Sequence, residues 1–321
     1  MGMDKMKTWM KKILSVITIR SDLGRCLMAE FYSTFMLSVF LRAAIAQDLT
    51  SGTGSVFNIA FTAGMGVAFA IYSSFGVSGG HINLAVSIGV AVLGKLPWKR
   101  VPVYYLAQLA GGFVGAVLVY AVYQDAFDDF DGGERQAFGP NGTAAIFATF
   151  PQLYLSVTTG FFEQVLSTAL FLAIIGAVLD HRNVPPPLNW APFFFGLIIL
   201  ALVMTFGHNA GAPLNPSIDL SGRLCLGVMG YGAEVWVLAD GTHDGVHWWL
   251  IPIFGPAIGG AVGSWAYYLA IELHHPPVDE KEDATDYKEK IELEKKDGMP
   301  KTHAAEIQYP LLPERDSQTS V

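Results

Sequence analysis

Charge is scarce in this chain. Only 15% of its 321 residues are charged, against about 25% in an average soluble domain. The charges collect at the ends and in a few loops, leaving long stretches almost without them. That distribution excludes an ordinary soluble globule with a solvated charged surface. Cysteine is also rare. Cys26 and Cys225 alone make neither a disulfide framework nor a metal-site spacing, and both read as small buried apolar groups. No metal-ligand cluster and no nucleophile–base pair stands out, so neither an enzyme nor a bound cofactor or metal is expected. No basic patch with interleaved aromatics occurs, which argues against nucleic acid. The net charge of −8 comes largely from the C-terminal tail and from residues 125–134, and says little about a ligand. A cleavable leader is not expected either. Lys5, Lys7, Lys11 and Lys12 interrupt the only apolar stretch before residue 25, and no small-residue cleavage site follows.

What the chain has in quantity is apolar sequence, 52% of it. Six stretches, 27–48, 54–75, 101–123, 159–179, 190–207 and 248–272, approach the roughly 20 residues that a spanning helix needs. The third carries no charged residue at all. Two more apolar segments, beginning at Asn83 and Asn215, are too short to span and read as re-entrant half-helices. Irregular backbone at membrane depth is tolerated only inside protein or beside a water-filled cavity. The expected class is therefore an all-α membrane protein with six transmembrane helices and two re-entrant half-helices.

Three regions follow. Residues 1–25 form an N-terminal segment, 26–273 the membrane domain with halves at about 26–123 and 159–272, and 274–321 a hydrophilic tail with the composition of a disordered segment. Lysine and arginine concentrate before the first span, at Lys95, Lys99 and Arg100, and at Arg182. The positive-inside rule then puts both termini in the cytoplasm. The acidic 124–158 loop falls outside, where Asn141-Gly142-Thr143 matches a glycosylation acceptor.

The halves repeat. Glu30 lies 53 residues before Asn83, and Glu163 lies 52 before Asn215. The third spans share Gly111-Gly112-x-Val114-Gly115 and Gly259-Gly260-x-Val262-Gly263. The second half carries a longer insertion, around Met229 to His247. Three spans per half is an odd number, so the second half must be inverted and its half-helix must enter from the opposite face. The two half-helix N-termini then meet near the midplane.

Each N-terminus offers unsatisfied N–H groups and about half a positive charge. An asparagine there caps its own helix through its side-chain oxygen and keeps its NH2 for a passing oxygen. Glu30 and Glu163 lie inside the hydrocarbon region, where a carboxylate is costly. Either they accept from the backbone that feeds each half-helix, the preferred reading, or they relay protons. Arg42, late in the first span, is expected to snorkel to the outer interface. His81 reads as a structural histidine, with a pH gate as the sharper alternative.

These residues resemble the aquaporin superfamily. Ser78-Gly79-Gly80-His81-Ile82-Asn83-Leu84-Ala85 is similar to its first Asn-Pro-Ala loop, and Pro213-Leu214-Asn215-Pro216-Ser217 to the second. Asp219, the long insertion, and the segments 145–151 and 179–183 make the chain similar to the aquaglyceroporin branch. The resemblance implies an aquaporin-like inverted repeat, a homotetramer with one pore per subunit, and passage of glycerol, urea and water. It places the outer filter at Ala63, Val203, Ala212 and Ile218. Three positions depart from the family: Leu84 replaces a proline, Ser217 an alanine, and Ile218 the filter arginine. Arg223 matches a different family arginine. The filter so assigned is wide and apolar, with no cationic donor, and cation exclusion would fall to the half-helix dipoles alone.

The sequence thus reads as a passive channel for glycerol, other small neutral solutes and water, in a bilayer that is expected to be the plasma membrane. A non-conducting or gated structural protein of the same fold is the alternative. A proton-coupled transporter using Glu30 and Glu163 is the third reading.

Overall fold

A computed structural model describes residues 3–276. The hydrophilic tail from residue 277 lies outside the described residues. The described residues form nine α-helices: α1 (Met3–Ile17), α2 (Asp22–Ser51), α3 (Val56–Ser78), α4 (Leu84–Val92), α5 (Val101–Asp131), α6 (Val157–Leu179), α7 (Ala191–Ala210), α8 (Pro216–Val228) and α9 (Ile251–Ala270). Among the described residues, α2, α3, α5, α6, α7 and α9 are long and apolar enough to cross a bilayer.

Local chemistry sets the ends of these helices. Ser21, Ser55 and Ser156 cap α2, α3 and α6, each hydroxyl accepting the N–H three residues on at 3.1–3.2 Å. The spans α5, α7 and α9 begin differently. Each follows a short 3-10 turn and carries a proline in its first turn, Pro102, Pro192 and Pro252, where the missing N–H costs nothing. So a serine-capped span opens each half and a proline-led span closes it.

α1 was not expected as a helix. Its Trp9, Met10, Ile13, Leu14 and Ile17 are exposed. α5 also runs eight residues beyond the apolar stretch that predicted it. The bilayer limits an apolar run but not a helix, so α5 continues as an acidic extension. There Arg135 binds Asp131 through two bonds of 2.8 and 2.9 Å and Asp128 at 2.6 Å.

The halves pack in the same way. α2 packs on α3 and α5, as α6 packs on α7 and α9. The half-helices cross over, α4 lying on α9 and α8 on α5. At the centre α3 crosses α7 through a reciprocal pair. A Cβ on Gly64 would sit 2.5 Å from the Gly196 carbonyl oxygen, and one on Gly196 would sit 2.5 Å from that of Gly64. The repeated glycines do the same for the outer pairs. A Cβ on Gly111 would meet Phe31 O at 2.1 Å, and one on Gly263 would meet Ala169 O at 2.0 Å. Small residues permit this backbone approach where lipid offers no hydrophobic drive.

The insertion after α8 folds into a strap that packs through Leu238 and Val246 on Leu155, Ala210 and Trp248. Leu238 N–H donates to Val246 O and Gly245 N–H to Leu238 O, both at 2.9 Å. His243 pins the strap to the segment before α6. Its Nε2 lies 2.7 Å from Leu155 O and its Nδ1 2.7 Å from Asp240 Oδ2. Both partners are acceptors, so the ring fits best with both nitrogens protonated. Burial alone would lower the His243 pKa. The hydrogen bonds to Asp240 and Leu155 and the charges of Asp240 and Asp244 outweigh it and raise the value above 6.5. A raised histidine pKa contributes stability below the unfolded value and loses it as pH rises through the folded value. The amides of Leu238 and Gly245 should therefore be protected from hydrogen exchange below about pH 6.5 and lose protection as pH rises past the folded His243 value, after correction for intrinsic rates. His243→Ala should abolish that pH dependence.

Candidate functional site

A cavity of about 810 Å³ runs between the halves and is lined by both asparagine loops. Each asparagine caps its own half-helix. Asn83 Oδ1 accepts from Ala85 N–H at 2.8 Å, and Asn215 Oδ1 from Ser217 and Ile218 N–H at 3.0 and 3.3 Å. Each then reaches across the symmetry axis. Asn83 Nδ2 donates to Leu214 O at 3.0 Å, and Asn215 Nδ2 to Ile82 O at 2.9 Å. Those carbonyls belong to the residues just before the opposite asparagine. One hydrogen of each NH2 is used in this crossing, and the other remains for a solute oxygen.

The first loop is strained and strongly held. Ile82 has a φ of +48°, which a β-branched residue adopts only when its surroundings impose it. Glu30, fully buried, supplies that constraint. Its Oε1 accepts from Ser78 Oγ at 2.6 Å and His81 N–H at 2.9 Å, and its Oε2 from Ile82 N–H at 2.7 Å and Gln108 Nε2 at 2.8 Å. Four donors on one carboxylate explain a charge at membrane depth without a proton relay.

The expectation that Glu163 does the same for the second loop is corrected. Neither of its carboxylate oxygens has a hydrogen-bond partner; Asn209 is its polar neighbour. Helical register gives the reason. The buried face of α2 runs through Cys26, Glu30, Ser33, Thr34 and Leu37, and that of α6 through Gly160, Gln164, Ser167, Thr168 and Phe171. The counterpart of Glu30 is thus Gln164, 1% exposed, and Glu163 sits about 100° away on the flank of the helix.

Two of the departures from the family pattern are joined by hydrogen bonds. A proline at position 84 would have no N–H. Leu84 has one, and it donates to Ser217 Oγ at 3.1 Å. Ser217 in turn donates to Gln108 Oε1 at 2.7 Å, and Gln108 donates to Glu30. The serine therefore accepts the donor that the leucine introduces. His81 joins the same network. It is buried, places Nδ1 3.0 Å from Ser87 Oγ, and packs edge-on against Tyr104 with ring centroids 5.4 Å apart. It also lines the cavity.

Ala63, Val203, Ala212 and Ile218 all line the cavity, and Ala212 has a φ of +49°. The expectation for Arg42 is overturned. It does not snorkel outward; it is 1% exposed, on the face of α2 that carries Glu30, Thr34 and Ser38. Its Nη2 donates to Ile218 O at 2.6 Å and Ser221 Oγ at 3.2 Å, and its Nε to Phe147 O at 3.3 Å. Nη1 bonds Ser38 Oγ and, at 3.5 Å, Gly112 O. Gly222 makes room: a Cβ there would lie 1.7 Å from Phe147 O and 2.7 Å from Arg42 Nη2.

Asp219 and Arg223 tie the segments at Thr149 and Val235 to α8. Asp219 Oδ2 accepts from Thr149 N–H at 2.8 Å and Thr149 Oγ1 at 2.5 Å, while its Oδ1 takes Arg223 Nε at 2.7 Å. Arg223 continues to Val235 O at 2.7 Å and to Thr149 O. Asn141 is exposed on a turn, and Thr143, two residues on, is buried with its hydroxyl 2.6 Å from that of Tyr231. Sequence reasoning misread Arg42 and missed Gln108 and Thr149. Arg42 carried a usable signal, an ionisable residue within a span.

Six spans in two inverted halves, with capped half-helices meeting end to end in a cavity, define a membrane channel fold. The profile of the major intrinsic protein family matches residues 18–267. Human Aquaporin-10 is 40% identical over 267 residues, covering 83% of this chain and 87% of its own. Human Aquaporin-9 is 38% identical over 297 residues, 91% of this chain and 97% of its own. An X-ray structure of the aquaglyceroporin from Plasmodium falciparum superposes with a TM-score of 0.68 at 30% identity, covering 78% of this chain and 97% of that one. The chain belongs to the major intrinsic protein family.

Ser217→Ala strands the buried Leu84 N–H and should cost about 1–3 kcal/mol of stability. In a Leu84→Pro background the same substitution strands no N–H. The double-mutant cycle, read by thermal unfolding in detergent, should therefore show a coupling of about 1 kcal/mol or more, whatever Leu84→Pro itself loses in packing.

Proposed function

We propose that this chain is a passive channel for glycerol and other small uncharged solutes such as urea, and for water, working without a cofactor or a covalent step. The observation that carries the reading is the asparagine crossing at the meeting point of α4 and α8. It offers one free N–H from each half where the two half-helices meet. The carbonyls of Gly80, His81, Gly211 and Pro213 accept no hydrogen bond from the described residues, and these residues line the cavity. A polyol needs both donors and acceptors for its hydroxyls and an apolar wall for its carbon chain. The donors come from Asn83 and Asn215, the acceptors from the two loops, and the wall from Ala63, Val203, Ala212 and Ile218. The small side chains at 63 and 212 leave width for a solute larger than water.

The relatives named aquaporin and the solved aquaglyceroporin support the same substrate class. Asp219 supports the branch, since it fixes the Thr149 segment along the cavity. The oligomer we infer is a homotetramer with one pore per chain, in the plasma membrane, with both termini cytoplasmic and Asn141 glycosylated on the outer side. A His81 gate remains secondary to its structural role, because its Nδ1 is already engaged by Ser87.

Proteoliposomes carrying the protein should reswell in a glycerol gradient at least about tenfold faster than empty ones, and the activation energy should be low. Asn83→Asp/Asn215→Asp should abolish most of that flux. The same double variant run in a water gradient separates solute passage from bulk wetting. Folded wild-type protein that leaves reswelling at the empty-liposome rate would favour the non-conducting reading.

A further inference from the structure

Arg42 sits at a place and with a charge that the channel reading leaves unused. It lines the cavity wall and is bound to the carbonyl of Ile218, the filter position that has lost its arginine. Its guanidinium carries five N–H donors, and the five acceptors are Phe147 O, Gly112 O, Ile218 O and the hydroxyls of Ser38 and Ser221. All five are neutral. Among the described residues Arg42 forms no ion pair. The nearby carboxylate, Asp219, is already engaged by Arg223 at 2.7 Å and by Thr149. The guanidinium is therefore fully hydrogen-bonded but not neutralised, one carbonyl behind the filter.

We propose that Arg42, reaching the filter from α2, is the cation-excluding element of this pore and replaces in charge the arginine that position 218 lacks. The inference rests on the channel reading given above. A buried cation in a poorly polarisable wall projects its field into the lumen far more strongly than a surface charge does. That field adds to the positive ends of α4 and α8 and opposes any cation or hydronium in the same passage, while a neutral solute is unaffected. With every N–H already taken by protein acceptors, Arg42 acts on permeant species through its field and not as a hydrogen-bond donor. It determines specificity without touching the solute.

The test uses full-length protein in liposomes loaded with a pH-sensitive dye, with glycerol reswelling measured on the same vesicles. Arg42→Gln removes the charge and keeps at most two of the five N–H donors. It should raise proton and potassium permeability by about tenfold or more relative to glycerol flux. Arg42→Lys retains the charge and should stay near wild type. Arg42→Gln/Ile218→Arg, which returns a cation to the filter from α8, should restore tightness. Ile218→Arg alone should add little to proton exclusion. An Arg42→Gln protein that conducts glycerol and leaks no more than wild type would overturn the proposal, as would Arg42→Lys leaking like Arg42→Gln. Where Arg42→Gln alone does not fold, a glycerol-conducting Arg42→Gln/Ile218→Arg protein that leaks overturns it equally. Absence of glycerol flux in the wild type would defeat the channel reading itself, and is distinguishable from unaltered leakage in a working channel.

Discussion

The crossing of two asparagine side chains is the contact on which the rest of the interior depends. Each side chain must cap its own half-helix, reach the opposite loop and still leave one hydrogen free. It can do all three only if the two helix N-termini stand almost end to end. That distance requires the glycine contacts between α3 and α7, because a single Cβ at Gly64 or Gly196 would push a backbone aside. It also requires Ile82 to accept a left-handed backbone, since the Ile82 carbonyl is what Asn215 binds. The strain at Ile82 and the four donors on Glu30 are two sides of one arrangement.

The pseudo-symmetry is tight in the backbone and loose in the chemistry. Both halves share helix order, glycine contacts, a serine-capped first span, a proline-led last span and the asparagine crossing. They differ in what holds the loop before the half-helix. A carboxylate with four donors holds the first. The second is held from outside: Asp219 fixes Thr149, whose methyl packs on Gly211, and Gln152 N–H reaches Asn209 O at 2.9 Å. The 145–149 segment is therefore part of the cavity wall, and the strap pinned by His243 to Leu155 lies next to that support.

The spans and the two half-helices were legible because length and apolarity fix them almost without tertiary information. Asn83 and Asn215 were legible because a cap followed by a short apolar helix has a signature of its own. Glu163 was misassigned by a single position. Spacing along the chain cannot distinguish 52 residues from 51, but the face of α6 can, and that face shows in the matched rows through Glu30 and Gln164. Arg42 was misread for a related reason. Its depth suggested an outward path to water, while its place in the row Glu30, Thr34, Ser38, Arg42 pointed inward. The partnership of Leu84 with Ser217 joins residues 133 apart and could not be seen from either position alone.

These partnerships bear on how departures from a family pattern should be weighed. A buried donor needs an acceptor, so an N–H gained at Leu84 favours a hydroxyl at Ser217. Position 218 carries no cation, and Arg42 reaches the carbonyls of Ile218 and Phe147 from another helix. The exchange is not neutral in consequence. An arginine at 218 could keep some of its five N–H groups for the solute, orienting hydroxyls as they pass. Arg42 has none to spare. On the proposal made above, a charge behind the wall keeps the field and removes the donors, so the constriction would discriminate by charge and width and not by hydrogen-bond geometry. Such a constriction would suit neutral solutes of varied shape.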